Sequence, residues 1–283
     1  MANDKDFILK NAVEVGGSTK VTIGDAPASG SRVSGFADVS TWAYDSVSFS
    51  ASSQSTNFLN DVLFSSDGTK MYTLHGAAPI YQYSLSTAWD VSTASYDNKS
   101  FDTTSQSSNN SGGSFNSDGT KFYKTDGLTD AVYEYDLSTA WDISTASYNS
   151  VSLSVSSQDS LPTGVTFNGN GTKMYLVGRQ NDRVYQYSMS TAYALSTASY
   201  DSVFFSVQTQ SANPESVVFN NDGTKMFISC NSNDAVFQYD LTTAYDISTA
   251  SYNTKTFSVA SQAAAPYGIR FSSDGDKMCF AFT

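Results

Sequence analysis

The chain holds one histidine, His75, and two cysteines, Cys230 and Cys279. Three such residues cannot supply the grouped His and Cys spacing of a zinc site, and His75 has no repeated carboxylate or thiol around it to complete a catalytic pair. Catalytic residues, a bound metal and a cofactor are therefore all expected to be absent. Charge is scarce as well: 15% of residues are charged, and 27 Asp and Glu against 15 Lys and Arg leave a net charge of −12. Lys and Arg form no cluster, which argues against nucleic acid and anionic membrane as partners. No stretch reaches the roughly 18 apolar residues of a membrane span. Residues 1–20 also lack the apolar segment of a secretion signal, so a protein acting outside a cell is expected to leave by another route. What the chain has instead is abundant Ser, Thr, Asn and Gln together with 18 Tyr and 18 Phe, a background suited to neutral partners such as glycans.

The most regular feature is a step of 52 residues, at which Gln54, Gln106, Gln158, Gln210 and Gln262 follow one another. A period near 50 signals propeller blades or solenoid turns. In each copy a strand-like segment ends on Phe64, Phe115, Phe167, Phe219 or Phe271. A turn follows: Ser-Asp-Gly-Thr-Lys at 66–70 and 117–121, then Asn170-Gly171, Asp222-Gly223 and Asp274-Gly275. Glycine there supplies the positive φ of a hairpin turn and the preceding Asp or Asn bonds its own backbone, so these carboxylates read as turn formers rather than metal ligands. A second strand starts at Lys70, Lys121, Lys173, Lys225 and Lys277. The third carries Tyr81-Gln82-Tyr83, Tyr133-Glu134-Tyr135, Tyr185-Gln186-Tyr187 or Phe237-Gln238-Tyr239, and the fourth alternates apolar with hydroxyl residues, as in Val151-Ser152-Leu153-Ser154-Val155. Four strands per repeat describe a propeller blade.

First, second and fourth strands occur five times, whereas the Tyr-Gln-Tyr third strand occurs four times. The expected fold is all-β: a five-bladed β-propeller of four-stranded, roughly 52-residue blades, closed by N- and C-terminal strands in one composite blade. Residues 1–37 read as an N-terminal arm for attachment and closure, and residues 38–283 as the propeller. In the composite blade, residues 267–283 are expected to give the inner strands and 45–53 the outer one. Residues 31–36 (Ser-Arg-Val-Ser-Gly-Phe) are expected to give the third strand, with 20–23 (Lys-Val-Thr-Ile) as the alternative. Closure leaves no exposed strand edge. Cys230 and Cys279 fall at different depths of successive second strands, so two buried thiols are expected rather than a disulfide. The repeated Gln side chains are expected to bond the backbone of the next blade.

Strand order divides the connections between two faces. The D-G turns and the S-T-A-W-D-I-S-T-A-S-Y segments share one face, where Trp89, Trp141, Tyr193 and Tyr245 hold equivalent positions and read as scaffold. The opposite face differs from blade to blade: His75-Gly76-Ala77-Ala78-Pro79, Asp126-Gly127-Leu128-Thr129-Asp130, Arg179-Gln180-Asn181-Asp182 and Asn231-Ser232-Asn233-Asp234. Binding residues concentrate on loops held by a rigid scaffold. Asp130, Asp182 and Asp234 recur at the repeat spacing and read as blade-to-blade caps. His75, Arg179, Gln180, Asn181, Asn231 and Asn233 are the candidate ligand-binding residues.

The phrases D-G-T-K-M-Y, V-Y-Q-Y-D-L-S-T-A-W-D-I-S-T-A-S-Y and F-S-V-S-S-Q resemble propeller repeats of virion and surface proteins from marine phages and bacteria, over residues 38–283. Lys5-Asp6-Phe7-Ile8-Leu9-Lys10-Asn11 and Val13-Glu14-Val15-Gly16-Gly17 look like the opening of phage fibre-type proteins. The resemblance implies a virion structural protein on the phage particle surface, fibre- or tail-associated. Its arm would join other virion proteins and its propeller would display a face for a host-surface glycan or receptor. Two alternatives stay open: a capsid decoration or head-fibre protein without a ligand, and a carbohydrate-active propeller enzyme or bacterial surface protein. The Ser-Asp-Gly-Thr-Lys turns are superficially similar to sialidase boxes of the form S-x-D-x-G-x-T-W, yet lack the spacer before Gly and the Trp. No membrane insertion is expected, and a homo-oligomer stays open.

Overall fold

The computed structural model of the chain describes residues 20–25, 38–262 and 265–282. Strands β1 (Lys20–Asp25) and β2 (Ala43–Ser50) come first, and β3 (Leu59–Phe64), β4 (Lys70–His75), β5 (Ile80–Leu85) and β6 (Ala94–Phe101) then form one antiparallel sheet in sequence order. The pattern recurs in β7 (Gly112–Phe115), β8 (Lys121–Asp126), β9 (Ala131–Leu137) and β10 (Ala146–Ser154). It recurs again in β11 (Pro162–Phe167), β12 (Lys173–Gly178), β13 (Arg183–Met189) and β14 (Ala198–Ser206), and in β15 (Pro214–Phe219), β16 (Lys225–Cys230), β17 (Ala235–Leu241) and β18 (Ala250–Ser258). The last strands, β19 (Ile269–Phe271) and β20 (Lys277–Phe282), join the first two in a sheet ordered β19-β20-β1-β2. Inner strands touch in cyclic order, β3 with β7, β7 with β11, β11 with β15, β15 with β19 and β19 with β3. The architecture is an all-β propeller.

Local chemistry explains the regularity. Gly68, Gly119, Gly171, Gly223 and Gly275 all take φ between 71° and 73°. At the first of them Asp67 Oδ1 accepts from Thr69 N–H at 3.0 Å, closing the turn. Each second strand is buried along its length after the initial Lys, because sheets cover both of its faces. Five apolar clusters fill the five spaces between neighbouring sheets: Tyr72 meets Phe122 and Tyr135, Tyr123 meets Met174, Tyr175 meets Met226, Phe227 meets Met278, and Cys279 meets Val62 and Met71. A fully buried Met or Phe in these layers contributes about 1.5–3 kcal/mol. Every fourth strand is bent by a residue at positive φ, Ser46, Asn98, Ser150, Ser202 or Thr254. Such bulged outer strands resist pairing with another chain.

Neighbouring sheets are stitched through the middle residue of the third strand. Ile143 N–H donates to Gln82 Oε1 at 2.8 Å, Leu195 N–H to Glu134 Oε2 at 2.8 Å and Ile247 N–H to Gln186 Oε1 at 3.2 Å. Val39 N–H donates to Gln238 Oε1 at 3.1 Å, bringing residues near the two ends of the chain together through the same contact. An ion pair repeats likewise: Lys99 Nζ lies 2.6 Å from Asp142 Oδ2, and Lys255 Nζ lies 2.6 Å from Asp38 Oδ2.

Three sequence expectations are revised. The third strand of the sheet joining the chain ends is β1, six residues paired with both β20 and β2, and not residues 31–36, which lie outside the described residues. The β-branched run Val21-Thr22-Ile23 favours extended backbone, whereas the sequence of the other segment carries Gly35 inside it and Gly30 just before it, which lowers its strand propensity. The repeated Gln side chains do not reach the next sheet's backbone: Gln54, Gln106 and Gln158 accept from the hydroxyls of Tyr83, Tyr135 and Tyr187 at 3.0, 3.3 and 3.1 Å. The backbone-bonding role belongs to the third strand. His75 is the third revision and falls in the candidate site. Both cysteines are buried and neither is in a disulfide.

Candidate binding site

The loop-variable face carries a cavity of 320 Å³ on the axis, with walls from all five sheets. Phe58, Asn60 and Gly76 come from the β3–β6 sheet, Asn109, Ser111 and Gly127 from the next, and Leu161, Pro162, Thr163 and Arg179 from the third. Glu215 and Tyr267 complete it. Phe58 and Leu161 expose 67% and 43% of their surface, and Leu128, beside Gly127, exposes 68%. Three of the four exposed large apolar side chains among the described residues thus sit at or beside this mouth. Exposed apolar surface grouped around a polar hollow marks an interaction site.

At the wall, the Arg179 guanidinium donates to Glu215 Oε1, with Arg179 partly open to solvent and Glu215 nearly enclosed. Burial pushes the Glu215 carboxyl up to about 7, against the pull of Arg179 and of a hydrogen bond with Asn231. The loop that carries Arg179 is anchored from below. Asp159 is buried, and its carboxylate accepts from the N–H groups of Leu161 (2.9 Å), Gln180 (3.1 Å) and Asn181 (3.1 Å). Residue 178 must be glycine for this to fit, since a Cβ there would come within 2.3 Å of the Asp159 carboxyl carbon. Asp130, Asp182 and Asp234 turn their loops through positive φ, and their carbonyls accept from Val155, Val207 and Val259 N–H, each just past the fourth strand of the same sheet, so these carbonyls cap their own sheet rather than bridge to the next; Asp234 Oδ1 also accepts from Ala265 N–H at 2.7 Å.

The structure therefore sorts the six candidates. Arg179 lines the cavity and Asn231 reaches it through Glu215. Gln180, Asn181 and Asn233 are exposed on the rim, with Asn181 Nδ2 donating to the Gln158 carbonyl at 2.8 Å and Asn233 Oδ1 3.0 Å from Cys230 Sγ. His75 is corrected: it ends β4 with no exposed surface, Nδ1 lies 3.0 Å from the Asn57 carbonyl and Nε2 3.2 Å from Thr73 Oγ1. Burial lowers its pKa, so the ring is held neutral as an internal loop anchor. Glu215 was missed by sequence reasoning. Its signal was a carboxylate at the start of an inner strand, where the other repeats place Asn60, Ser111, Thr163 and Tyr267.

A second cavity of 350 Å³ opens at the other end of the axis, walled by Phe64, Phe115, Phe167, Phe219 and Phe271 and by Trp89, Trp141 and Tyr245. Arg270 forms part of this cavity and bonds across the axis, donating to Asp61 Oδ2 at 2.7 Å, the Gly113 carbonyl at 2.6 Å and Ser216 Oγ at 3.2 Å. Those bonds tie four sheets together. Trp89, Trp141, Tyr193 and Tyr245 are part of the scaffold: Tyr72 donates to the Trp141 carbonyl at 2.6 Å, Tyr123 to that of Tyr193 and Tyr175 to that of Tyr245 at 2.5 Å. Among the described residues no group of three or more His, Cys, Asp or Glu is placed to hold a metal, and no helix is long and apolar enough to cross a membrane.

No protein-family model matches the chain, and no curated protein matches it. Among solved structures, a candidate 6-phosphogluconolactonase from Bacteroides fragilis aligns with a TM-score of 0.48 at 14% identity, over 72% of this chain and 56% of that one. The periplasmic gluconolactonase of Pseudomonas aeruginosa gives 0.46 at 14% identity, over 70% and 52%. Sqt1 of Chaetomium thermophilum gives 0.45 at 13% identity, over 75% and 49%. The chain spans about half the length of these structures. The propeller assignment rests on the sheet order and the cyclic contacts of the inner strands.

Proposed function

We propose that this chain is a non-catalytic recognition propeller, a closed ring of five blades that binds a neutral surface glycan in the axial cavity of its loop-variable face. In this reading the β19-β20-β1-β2 sheet is the composite closing blade. Support comes from the Gln238–Val39 and Lys255–Asp38 contacts, which repeat at the seam what Gln82–Ile143 and Lys99–Asp142 do at an ordinary joint. The observation that carries the glycan reading is the composition of the cavity. Its apolar rim of Phe58, Leu161 and Tyr267 surrounds amides, hydroxyls and one internally neutralised ion pair, a combination that suits a polyhydroxylated ligand without net charge. Among the described residues Glu215 is the only carboxylate in the cavity lining, and Arg179 already holds it, whereas glycoside hydrolysis needs two carboxyl groups in separate roles.

The segment before β1 is the proposed attachment arm to a phage particle, as the resemblance of residues 5–17 to fibre-type proteins suggests. Lys20 pairs with Phe282 and Asp25 with Lys277, so the chain enters β1 at the loop-variable end of the sheet. Binding of the whole protein to host surface polysaccharides arrayed on a chip tests the reading. Retention by wild type that falls at least about ten-fold in Arg179→Lys, which keeps a cation beside Glu215 but loses the planar fork, is the expected result, with a thermal melt confirming that the variant folds. Absence of retention on every polysaccharide would instead leave a decoration role without a ligand.

A further inference from the structure

The wall of the axial cavity has a property that its rim lacks: a strong donor and a strong acceptor lie side by side. The Arg179 guanidinium carries five N–H groups in a fixed plane; one is engaged with Glu215 Oε1 and the Nε–H is buried, so the terminal amino groups hold the remaining donors. The Glu215 carboxylate has about four lone-pair positions, and among the described residues Arg179 and Asn231 are its side-chain partners. Both side chains line the cavity, and Asn231, from the β16–β17 loop, steadies the carboxylate without lining it. A single hydroxyl group can donate to a carboxylate or accept from a guanidinium. Two hydroxyls on adjacent carbons can do both at once.

The geometry points to Arg179 and Glu215 as the specificity-determining pair of the cavity, selecting a neutral sugar that presents two adjacent hydroxyl groups. This rests on the glycan reading above and adds the class of sugar. One hydroxyl donates to Glu215 and its neighbour accepts from Arg179, so the pair opens no net charge and the ligand brings none. A ligand carboxylate is disfavoured because it would meet Glu215 at the same wall. Phe58 and Leu161, exposed at the mouth, supply the apolar surface on which the ring face rests. Above about pH 7, where the Glu215 carboxyl is ionised and at which the binding test is run, hydroxyls bound to charged partners are the discriminating contacts, since a missing hydroxyl leaves a charged group without its bond.

The test measures affinity of the full chain for a panel of neutral hexopyranosides with intact adjacent hydroxyls, their monodeoxy counterparts and a hexuronate, by calorimetry or saturation-transfer NMR. Wild type is expected to bind at least one intact sugar and to lose about ten- to hundred-fold on removal of either hydroxyl. Glu215→Gln, nearly identical in shape, should abolish most of that discrimination, and Arg179→Lys should weaken it. Ser147→Ala, exposed on the outer strand β10 away from the cavity, should leave it intact, and thermal melts confirm that each variant folds. A Glu215→Gln protein that discriminates as wild type does overturns the assignment while leaving glycan binding in place. A preference for the hexuronate overturns it in favour of an anion site. Wild type that binds none of the panel overturns this inference and the glycan reading together.

Discussion

On the face of the D-G turns, Trp89, Trp141, Tyr193 and Tyr245 take φ of 58° to 62° and cover the turn glycines so closely that a Cβ on Gly68 or Gly119 would lie 2.1–2.2 Å from a tryptophan ring atom. On the opposite face, the last residue of each second strand is different: His75, Asp126, Gly178, Cys230 and Phe282. His75 bonds the Asn57 carbonyl, Asp126 accepts from Leu128 and Thr129 N–H at 3.0 Å while facing Lys124 in a fully buried ion pair, and Gly178 makes room for Asp159. One face repeats a single local solution because each joint packs the same way. The other anchors each loop by its own buried polar contact, so its chemistry can vary without the loop losing its shape. Variation there is preorganised, which is what a binding surface needs.

Cutting the axis that both faces share should cost most. Arg270→Ala leaves the nearly enclosed Asp61 carboxylate without its cation and unties contacts to three other sheets, so unfolding in denaturant should show a loss of about 3–5 kcal/mol. The contrast between faces is sharpest in a pair of glycines. Gly119→Val forces a branched side chain to φ +73° against the Trp141 ring and should cost about 2–4 kcal/mol. Gly76→Ala on the variable face meets nothing closer than Asn60 Nδ2 at 3.6 Å and should stay within about 0.5 kcal/mol of wild type. Equal effects would erase the distinction drawn between the faces.

Glu215 gives a pH signature to the variable face. Its folded-state carboxyl stands at about 7 against an ordinary value of 4.5, so between these the folded chain keeps a proton that the unfolded chain has lost. Stability from this group is then full below 4.5 and falls as pH rises through about 7. Relative to Glu215→Gln, wild type should lose up to about 3 kcal/mol over that window in melts at stepped pH. A difference between the two proteins that does not change with pH would refute the linkage. The smallest effect is expected on the rim, where Asn181→Ala should move stability by less than about 0.5 kcal/mol, because its amide is exposed.

Strand ends were legible because they carry a local mark: Phe64 to Phe271 close the first strands and Lys70 to Lys277 open the second ones at the positions the repeat predicts. β1 was harder, since its place in the sheet is set by pairing with β20, about 250 residues away, and it lacks the Tyr-Gln-Tyr mark of the other third strands. Arg179 and Asn231 stood out as differences between loops. Glu215 and Asp61 did not, because inner strands read as packing positions, and only the closed arrangement brings Arg179 and Arg270 onto them. His75 was misplaced by the same logic in reverse. Its neighbours are loop-like, yet as the last residue of β4 it is buried against the backbone of Asn57, before β3.

The position of β1 also fixes how the molecule would respond to a pull. It lies between β20 and β2, antiparallel to both, with all six residues paired on each side. Tension applied at Lys20 along the strand axis loads the two ladders in shear, so their hydrogen bonds share the force instead of opening one after another. The strand that would carry the tether is also the strand that joins the ends of the described chain. A force large enough to draw it out would separate β20 from β2, so mechanical detachment and opening of that sheet would be one event.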